Sequence, residues 1–273
     1  MAFVIAQISD LHISDPGVGT DLHYQTAEHL ERCVARLNTI DPRPDIVVAT
    51  GDLVDQAKAS EYHRLRDILD KLEMPYYLLC GNHDSRENLV PVFPDHTYLP
   101  QDGFLQYALE DFPIRIVCGD TRIAKQIIGT MCAERLAWLD ETLGAEPDRP
   151  TVVFLHHPPF ASGLAPMDKY GYEDKAGIEA VVRKHPQVMR VAGGHLHRPV
   201  VVNWGGTTLS VCPSAAHQIA LNPVPDTPVN IVMEPPAFHL HMWQEDTGLI
   251  THMMYVNDYE VRTKVRIGVG VVE

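Results

Sequence analysis

Five short apolar runs, each ending in a cluster of Asp, Asn, Gly or His, constrain this chain more than any other feature. They occupy residues 3–9, 45–50, 76–80, 151–155 and 188–192 and are rich in Val, Ile and Leu. Runs this short, bounded by Gly, Pro and Asp, predict strands buried on both faces. Between them, apolar residues recur at helical spacing. Ala27, Leu30, Val34 and Leu37 mark one helix. Tyr62, Leu65, Leu69 and Leu72 mark a second, with Ser60 as its N-cap. Leu136, Leu139 and Leu143 mark a third, and Ile178, Val181 and Val182 a fourth. The alternation predicts α/β units with right-handed crossovers. Residues 105–110 and 113–118 read instead as paired strands. Residues 200–204 and 207–212 read as a hairpin turning through Gly205-Gly206, so the sheet is mixed.

The character changes after Leu221. Pro223, Pro225, Pro228, Pro235 and Pro236 predict mostly irregular chain there. A hairpin follows, residues 238–244 and 249–256 around Glu245-Asp246-Thr247-Gly248. The expected organisation is a main domain over 1–221 and a C-terminal segment over 222–273. The apolar side chains of the hairpin need a partner surface: a cap over the active face, a subunit contact, or an ordinary core edge.

The 273 residues are enough for a sizeable core without disulfides. The formal net charge of −14 argues against a dedicated nucleic-acid binder or an anionic-membrane binder. No apolar run is long enough to span a bilayer. The first residues read as a strand rather than a signal peptide. Five scattered cysteines without a CxxC pair fit a reducing cytosol. The chain carries 15 His against 7 Phe, and those His collect at the strand ends.

In open α/β sheets that rim is where ligands bind. Asp10-Leu11-His12 follows the first run, and on extended chain its two polar side chains share one side and can share one ion. Gly51-Asp52-Leu53-Val54-Asp55 follows the second; Asp52 has two oxygens and can bridge two cations, or it is a turn residue. Gly81-Asn82-His83-Asp84 follows the third; Asn82 offers a neutral amide oxygen, and His83 can face the site without being a ligand. His156-His157-Pro158-Pro159 follows the fourth, where adjacent residues point opposite ways, so one His is a direct ligand and the other either supports it from behind or is structural. Gly193-Gly194-His195-Leu196-His197 follows the fifth, with two His on one rim. Any one cluster has an ordinary explanation as a cap or a hydrogen-bonded His; five together at strand ends do not. No GxxxxGK[ST], GxGxxG or GxSxG pattern competes.

The order D-x-H, G-D-x-x-D, G-N-H-D, H-H, G-H-x-H resembles the calcineurin-like metallophosphoesterases, and the blocks span residues 10 to 197. Their wording, with Ala215-Ala216-His217-Gln218 beyond the hairpin, is most similar to the class III cyclic-nucleotide phosphodiesterase and glycerophosphodiester phosphodiesterase branch. The resemblance implies a four-layer α-β-β-α sandwich and two divalent metal ions. It assigns Asp10, His12, Asp52 and His197 to one ion, and Asp52, Asn82, His156 and His195 to the other. His83 becomes the histidine that contacts the phosphoryl oxygens or assists the leaving group, and His217 a further, outer histidine on the substrate side. Mixed N/O ligation suits Fe, Mn, Zn or Co.

The chain departs from the Ser/Thr protein phosphatase pattern GDxVDRG, reading Gln56-Ala57 where that pattern has Arg-Gly. A phosphomonoester dianion usually meets extra guanidinium charge; a diester monoanion needs less. The implied activity is hydrolysis of small phosphodiesters, glycerophosphodiesters or 3',5'-cyclic nucleotides, by in-line attack of a bridging hydroxide. Two cations, Asp10, Asp52 and that hydroxide carry a formal total of about +1, which holds an anion despite the acidic chain. A phosphomonoesterase or nucleotidase on the same scaffold is the alternative, and a non-catalytic scaffold a more distant one. The expected partner is a small phosphodiester, with no nucleic-acid polymer and no membrane, in a cytoplasmic homo-oligomer. The loops at 13–24 and 161–174 and the C-terminal segment are the places where substrate choice would be set.

Overall fold

Each apolar run forms a strand because both of its faces find apolar partners. The computed structural model describes residues 2–266 and 270–271. Its strands are β1 (Phe3–Ile8), β2 (Ile46–Thr50), β3 (Tyr76–Leu79), β4 (Tyr107–Leu109), β5 (Arg115–Cys118), β6 (Thr151–Phe154), β7 (Val188–Gly193), β8 (Val200–Trp204), β9 (Thr207–Val211), β10 (Gln218–Ile219), β11 (Ile231–Val232), β12 (Ala237–Gln244), β13 (Gly248–Tyr255), β14 (Val265–Arg266) and β15 (Gly270–Val271). Its helices are α1 (Gly19–Tyr24), α2 (Thr26–Thr39), α3 (Ala59–Leu69), α4 (Arg86–Leu89), α5 (Ala133–Ala145), α6 (Ala165–Asp168) and α7 (Lys175–Arg183).

Two mixed sheets result. The first has the order β13-β12-β1-β2-β3, with β1, β2 and β3 parallel; the second has β4-β5-β6-β7-β9-β8, with β5, β6, β7 and β9 parallel. The hairpin at Gly205-Gly206 forms as the dipeptide predicts, both glycines at positive φ. Helices α2 and α3 bury Leu30, Val34, Leu37, Tyr62, Leu65 and Leu69 against β1–β3. Helices α5 and α7 bury Leu139, Leu143, Ile178 and Val182 against the second sheet. The first core also takes in Ile116, Val152, Phe154 and Phe238, filling the space between the sheets. This is the four-layer α-β-β-α sandwich.

Two expectations need correction. Helix α3 is capped at Lys58, not Ser60: Glu61 reaches back to accept from the backbone N–H of Gln56 (2.9 Å) and Lys58 (3.2 Å). A carboxylate that satisfies two orphan donors outcompetes the single hydroxyl of Ser60. Of the three readings of the C-terminal hairpin, the sheet pairing is that of the core edge, and the separate segment is what changes. Strand β12 pairs antiparallel with β1 over Phe3–Gln7, and β13 forms the edge of the first sheet beyond it. Its partner surface is the free edge of β1, and Phe238, Leu240 and Trp243 are buried there. A boundary at 221/222 therefore cuts through a single sheet.

A buried polar seam joins the sheets beneath their carboxyl ends. The Gln7 amide donates to Thr50 Oγ1 (3.0 Å) and to the Gly193 carbonyl (2.9 Å). His241 Nε2 donates to Gln7 Oε1 (3.0 Å), while its Nδ1 accepts from Thr251 Oγ1 (2.8 Å). With every member satisfied, such a network fixes one register between the layers.

Candidate metal centre

The polar clusters meet at the carboxyl ends of the parallel strands of both sheets, but not in the conformation read from the sequence. Asp10 (φ 54°), His12 (45°), Asp52 (48°), His195 (69°) and His197 (47°) are all left-handed rather than extended. Non-glycine residues rarely adopt this region, and such strain collects at functional sites. The i, i+2 pairs converge because each strand end curls over the site.

Backbone bonds zip the loops together. Asp10 N–H donates to the Gly51 carbonyl (3.1 Å) and His12 N–H to the Asp52 carbonyl (2.9 Å). Both Asp10 oxygens accept from His195 N–H (3.0 and 3.1 Å), tying β1 to the far sheet. Gly81 and Gly194 allow the approach: a Cβ on Gly81 would stand 2.2 Å from Asp52 Oδ1, and one on Gly194 2.0 Å from Ser9 Oγ.

Asp84, to which the sequence reading assigned no role, is the staple. Its buried carboxylate accepts from Gly81 N–H (2.8 Å), Leu53 N–H (3.1 Å), Val54 N–H (3.3 Å) and Tyr62 Oη (3.0 Å). It thus holds the Asp52 turn to the Asn82 turn. Burial and the Asp52 charge push its carboxyl up to about 6.

The histidines are oriented by carbonyls, which only accept, so their tautomers follow. His156 Nδ1 donates to the Thr50 carbonyl (2.8 Å), His195 Nε2 to Tyr170 (2.9 Å) and His197 Nδ1 to His217 (3.0 Å). Each leaves its other nitrogen for a proton or a cation, the arrangement that orients metal-ligating imidazoles. His156 Nε2 lies 3.2 Å from Asn82 Oδ1 and 3.4 Å from Asp52 Oδ2. His12 Nε2 lies 3.1 Å from His197 Nε2 and 3.7 Å from Asp52 Oδ2, and His197 Nε2 lies 3.5 Å from Asp10 Oδ1. Donors bound to one ion at 2.0–2.2 Å stand roughly 3–3.6 Å apart, so these separations suit shared cations. Two imidazole lone pairs 3.1 Å apart repel unless a proton or a cation lies between them. The donor set fits hard or borderline divalent metals.

His157 is the structural member of its pair. Its Nδ1 accepts from Thr121 Oγ1 (2.8 Å) and its Nε2 donates to the Ile127 carbonyl (3.0 Å), which leaves no lone pair for a metal. His83 is the outer histidine, with about a third of its side chain exposed. Its Nδ1 donates to the Asp55 carbonyl (2.8 Å), and its backbone N–H donates to Asp52 Oδ1 (2.8 Å). His217, the further outer histidine on the substrate side in the resemblance, is buried against Tyr24, rings 4.6 Å apart, with its ring 4.7 Å from that of His197. Burial and the neighbouring His197 and His12 keep its imidazole neutral. Tyr24 was legible only as part of the 13–24 loop; nothing in its local sequence marks it as a lid over His217.

Burial works against charge throughout the site, yet Asp52 stays well below the usual carboxylate range because His156 and His83 offset it. His156 is pushed up to about 9, Asp52 and Asp10 outweighing its burial. Burial and His156 push His195 down to about 4. Without metal, protons therefore stand in for the cations.

Comparison with known proteins agrees with this geometry. The calcineurin-like phosphoesterase family matches residues 3–199. A probable glycerophosphodiester phosphodiesterase GpdQ of Arcobacter nitrofigilis is 34% identical over 258 residues, 94% of each chain. A probable cyclic nucleotide phosphodiesterase of Rhodopseudomonas palustris is 34% identical over 231 residues, 83% of each chain. In fold, a dimetal phosphatase from Danio rerio superposes with TM-score 0.64 at 14% identity, covering 93% of this chain and 99% of that one. The chain is thus a member of the calcineurin-like phosphoesterase family, in the branch of its glycerophosphodiester and cyclic-nucleotide phosphodiesterase relatives.

Proposed function

We propose that this protein is a binuclear metal-dependent phosphodiesterase acting on small phosphodiesters, glycerophosphodiesters or 3',5'-cyclic nucleotides. The convergence of seven donor side chains, only two of them carboxylates, on the rim between the sheets carries the reading. Asp10, His12, Asp52 and His197 would hold one ion, and Asp52, Asn82, His156 and His195 the other. Bound there, Fe, Mn, Zn or Co supplies Lewis acidity, lowers the pKa of water and neutralises the phosphoryl charge.

The chain's own groups do the rest. Asn82, His156 and His195 add no negative charge, so the site does not repel an anion. The second nitrogen of His83 is free because the Asp55 carbonyl holds the first, so it can donate to a phosphoryl oxygen or a departing alkoxide. His217, neutral and stacked on Tyr24, closes the His12–His197 side. The names of the two relatives at 34% identity, both probable phosphodiesterases, support the diester reading over the monoester one.

The five free thiols support a reducing, cytoplasmic setting. The exposed Met253, Tyr255, Tyr259 and Val261 beside the β13 edge support a homo-oligomer.

The test is hydrolysis of bis(p-nitrophenyl) phosphate against p-nitrophenyl phosphate, on metal-stripped protein reconstituted with Mn(II). Metal-dependent preference for the diester is expected. Preference for the monoester would replace the reading with a phosphomonoesterase or nucleotidase. Two bound metals with no activity on either would make it a scaffold.

A further inference from the structure

Tyr24 ends α1, a helix with no buried side chain. A segment that adds nothing to the core is held by polar ties, and here they lead to the candidate centre. The backbone carbonyl of His12 accepts from Thr20 Oγ1 (2.5 Å) and from Thr26 Oγ1 (3.0 Å), one on each side of Tyr24 in the chain. Arg64 in α3 fixes the same segment, pairing with Asp21 (2.9 Å) and donating to the Ser14 carbonyl (2.6 Å). Between Tyr24 and Thr26 the chain turns through Gln25 at φ 48° and ψ 43°. Left-handed backbone at a non-glycine residue persists only where its surroundings over-determine it, and such residues gather at functional sites. Two hydroxyls on one carbonyl and a strained corner therefore set where the Tyr24 ring goes.

The ring stacks on His217, 4.6 Å between centroids and 27° between planes. His217 needs that support. Its side chain is 4% exposed, and its Nδ1 has no hydrogen-bond partner among the described residues. His156, His195 and His197 each have one nitrogen held by a carbonyl, and the carbonyl that holds His197 is that of His217. The His217 ring is oriented instead by packing, with the rings of His197 and His12 at 4.7 and 5.4 Å and Tyr24 stacked beside them. One His217 nitrogen lies within 4.8 Å of a nitrogen of His12 and of a nitrogen of His197, so the imidazole borders the metal-ligand cluster.

We propose that Tyr24 is a positioning residue for the hydrolysis: clamped on the His12 carbonyl through Thr20 and Thr26, its ring holds the His217 imidazole where it can donate to the phosphoryl group. This rests on the phosphodiesterase reading. The clamp ties His217 to the backbone of a candidate ligand, so donor and metal keep one spacing. An imidazole held by packing alone swings once its stacking partner is removed, and a misplacement on the order of 1 Å costs about 100-fold in rate.

Tyr24→Ala, Tyr24→Phe, His217→Ala and the double variant Tyr24→Ala/His217→Ala are loaded with Mn(II) and compared on bis(p-nitrophenyl) phosphate, with metal content measured on each. Tyr24→Ala should lose about 10- to 100-fold in kcat with KM little changed and metal content as in the wild type. Tyr24→Phe keeps the ring and should restore kcat to within about threefold of the wild type. The two alanine losses should not multiply: once His217 is gone, removing Tyr24 should cost less than about twofold more. Multiplying losses overturn the proposal, because Tyr24 then acts by another route. So does Tyr24→Ala or His217→Ala at the wild-type rate, or Tyr24→Phe as slow as Tyr24→Ala, which would assign the effect to the hydroxyl. Metal lost from Tyr24→Ala also overturns it and makes Tyr24 a support for His12 alone. If the wild type hydrolyses no diester, the phosphodiesterase reading has failed separately. The placement is then read by NMR of the histidine rings in the Zn(II)-loaded protein. The resonance that His217→Ala removes should move in Tyr24→Ala and stay in Tyr24→Phe; if it stays in Tyr24→Ala, the inference fails on its own terms.

Discussion

Replacing Gly81 by Ala adds one methyl group at the point where three ligand-bearing segments touch. The backbone of Gly81 is not at positive φ, so alanine is conformationally permitted and the effect is steric alone. The new Cβ would stand 2.2 Å from Asp52 Oδ1, 2.3 Å from Asp52 N and 2.8 Å from His156 Nε2. Ordinary contact distance requires a displacement on the order of 1 Å, and the obstacle is backbone and a buried carboxylate rather than a flexible side-chain end. Overpacking of this kind costs about 1–3 kcal/mol. For a chain of this length that lowers Tm by about 2–6 °C. The displaced atoms are those of Asp52 and His156, so metal affinity falls about 10- to 100-fold and kcat/KM with it. The assay is Tm on chelated protein, metal content after dialysis, and diesterase rate at saturating Mn(II). Gly144→Ala is the control. Gly144 lies inside α5 with open space around it, its nearest neighbour His185 Cε1 at 3.7 Å, and there Ala should raise stability by about 0.5–1 kcal/mol. A Gly81→Ala enzyme with wild-type Tm, two metals and full rate would refute the packing on which the site geometry rests.

Asn82→Ala should lose metal and rate together, whereas His83→Ala should keep the metals and lose about 10²–10⁴-fold in kcat; loss of both metals in His83→Ala, read by metal analysis, would remove its assigned role. Chelation should lower Tm by about 7 °C for one ion that had been present at a thousand times its Kd, read by scanning calorimetry. Because metal must displace the proton that His156 holds up to about pH 9, apparent metal affinity should rise about tenfold per pH unit below that point and level off above it, read by competitive chelator titration. Phe238→Ala should cost about 3–5 kcal/mol, since Phe238 is fully buried in the inter-sheet core, and a thermal melt showing no change would return the C-terminal hairpin to the status of an appendage.

The strands, the α/β alternation, and the strand ends where Asp10, His12, Asp52, Asn82, His156, His195 and His197 collect were legible in the residues alone. Those features are local: a β-branched run, a helical period and a polar cluster are each set within a few residues. Tertiary structure alone decided how they meet. The extended i, i+2 geometry expected for Asp10/His12 and His195/His197 gave way to left-handed turns, because backbone bonds from Asp10 and His12 to the next strand loop override the local preference. Which of His156 and His157 faces the site depended on Thr121 and the Ile127 carbonyl, about thirty residues away in the chain. The hairpin at 238–256 looked separable because proline-rich chain precedes it. It belongs to the first sheet because the edge of β1, more than two hundred residues earlier, had no other partner. The pairing of Asp120 with Arg86 is likewise invisible in any string of letters, since the two lie on different loops. Long-range pairing and the allocation of each acceptor among competing donors are properties of the assembled fold, and no short segment encodes them.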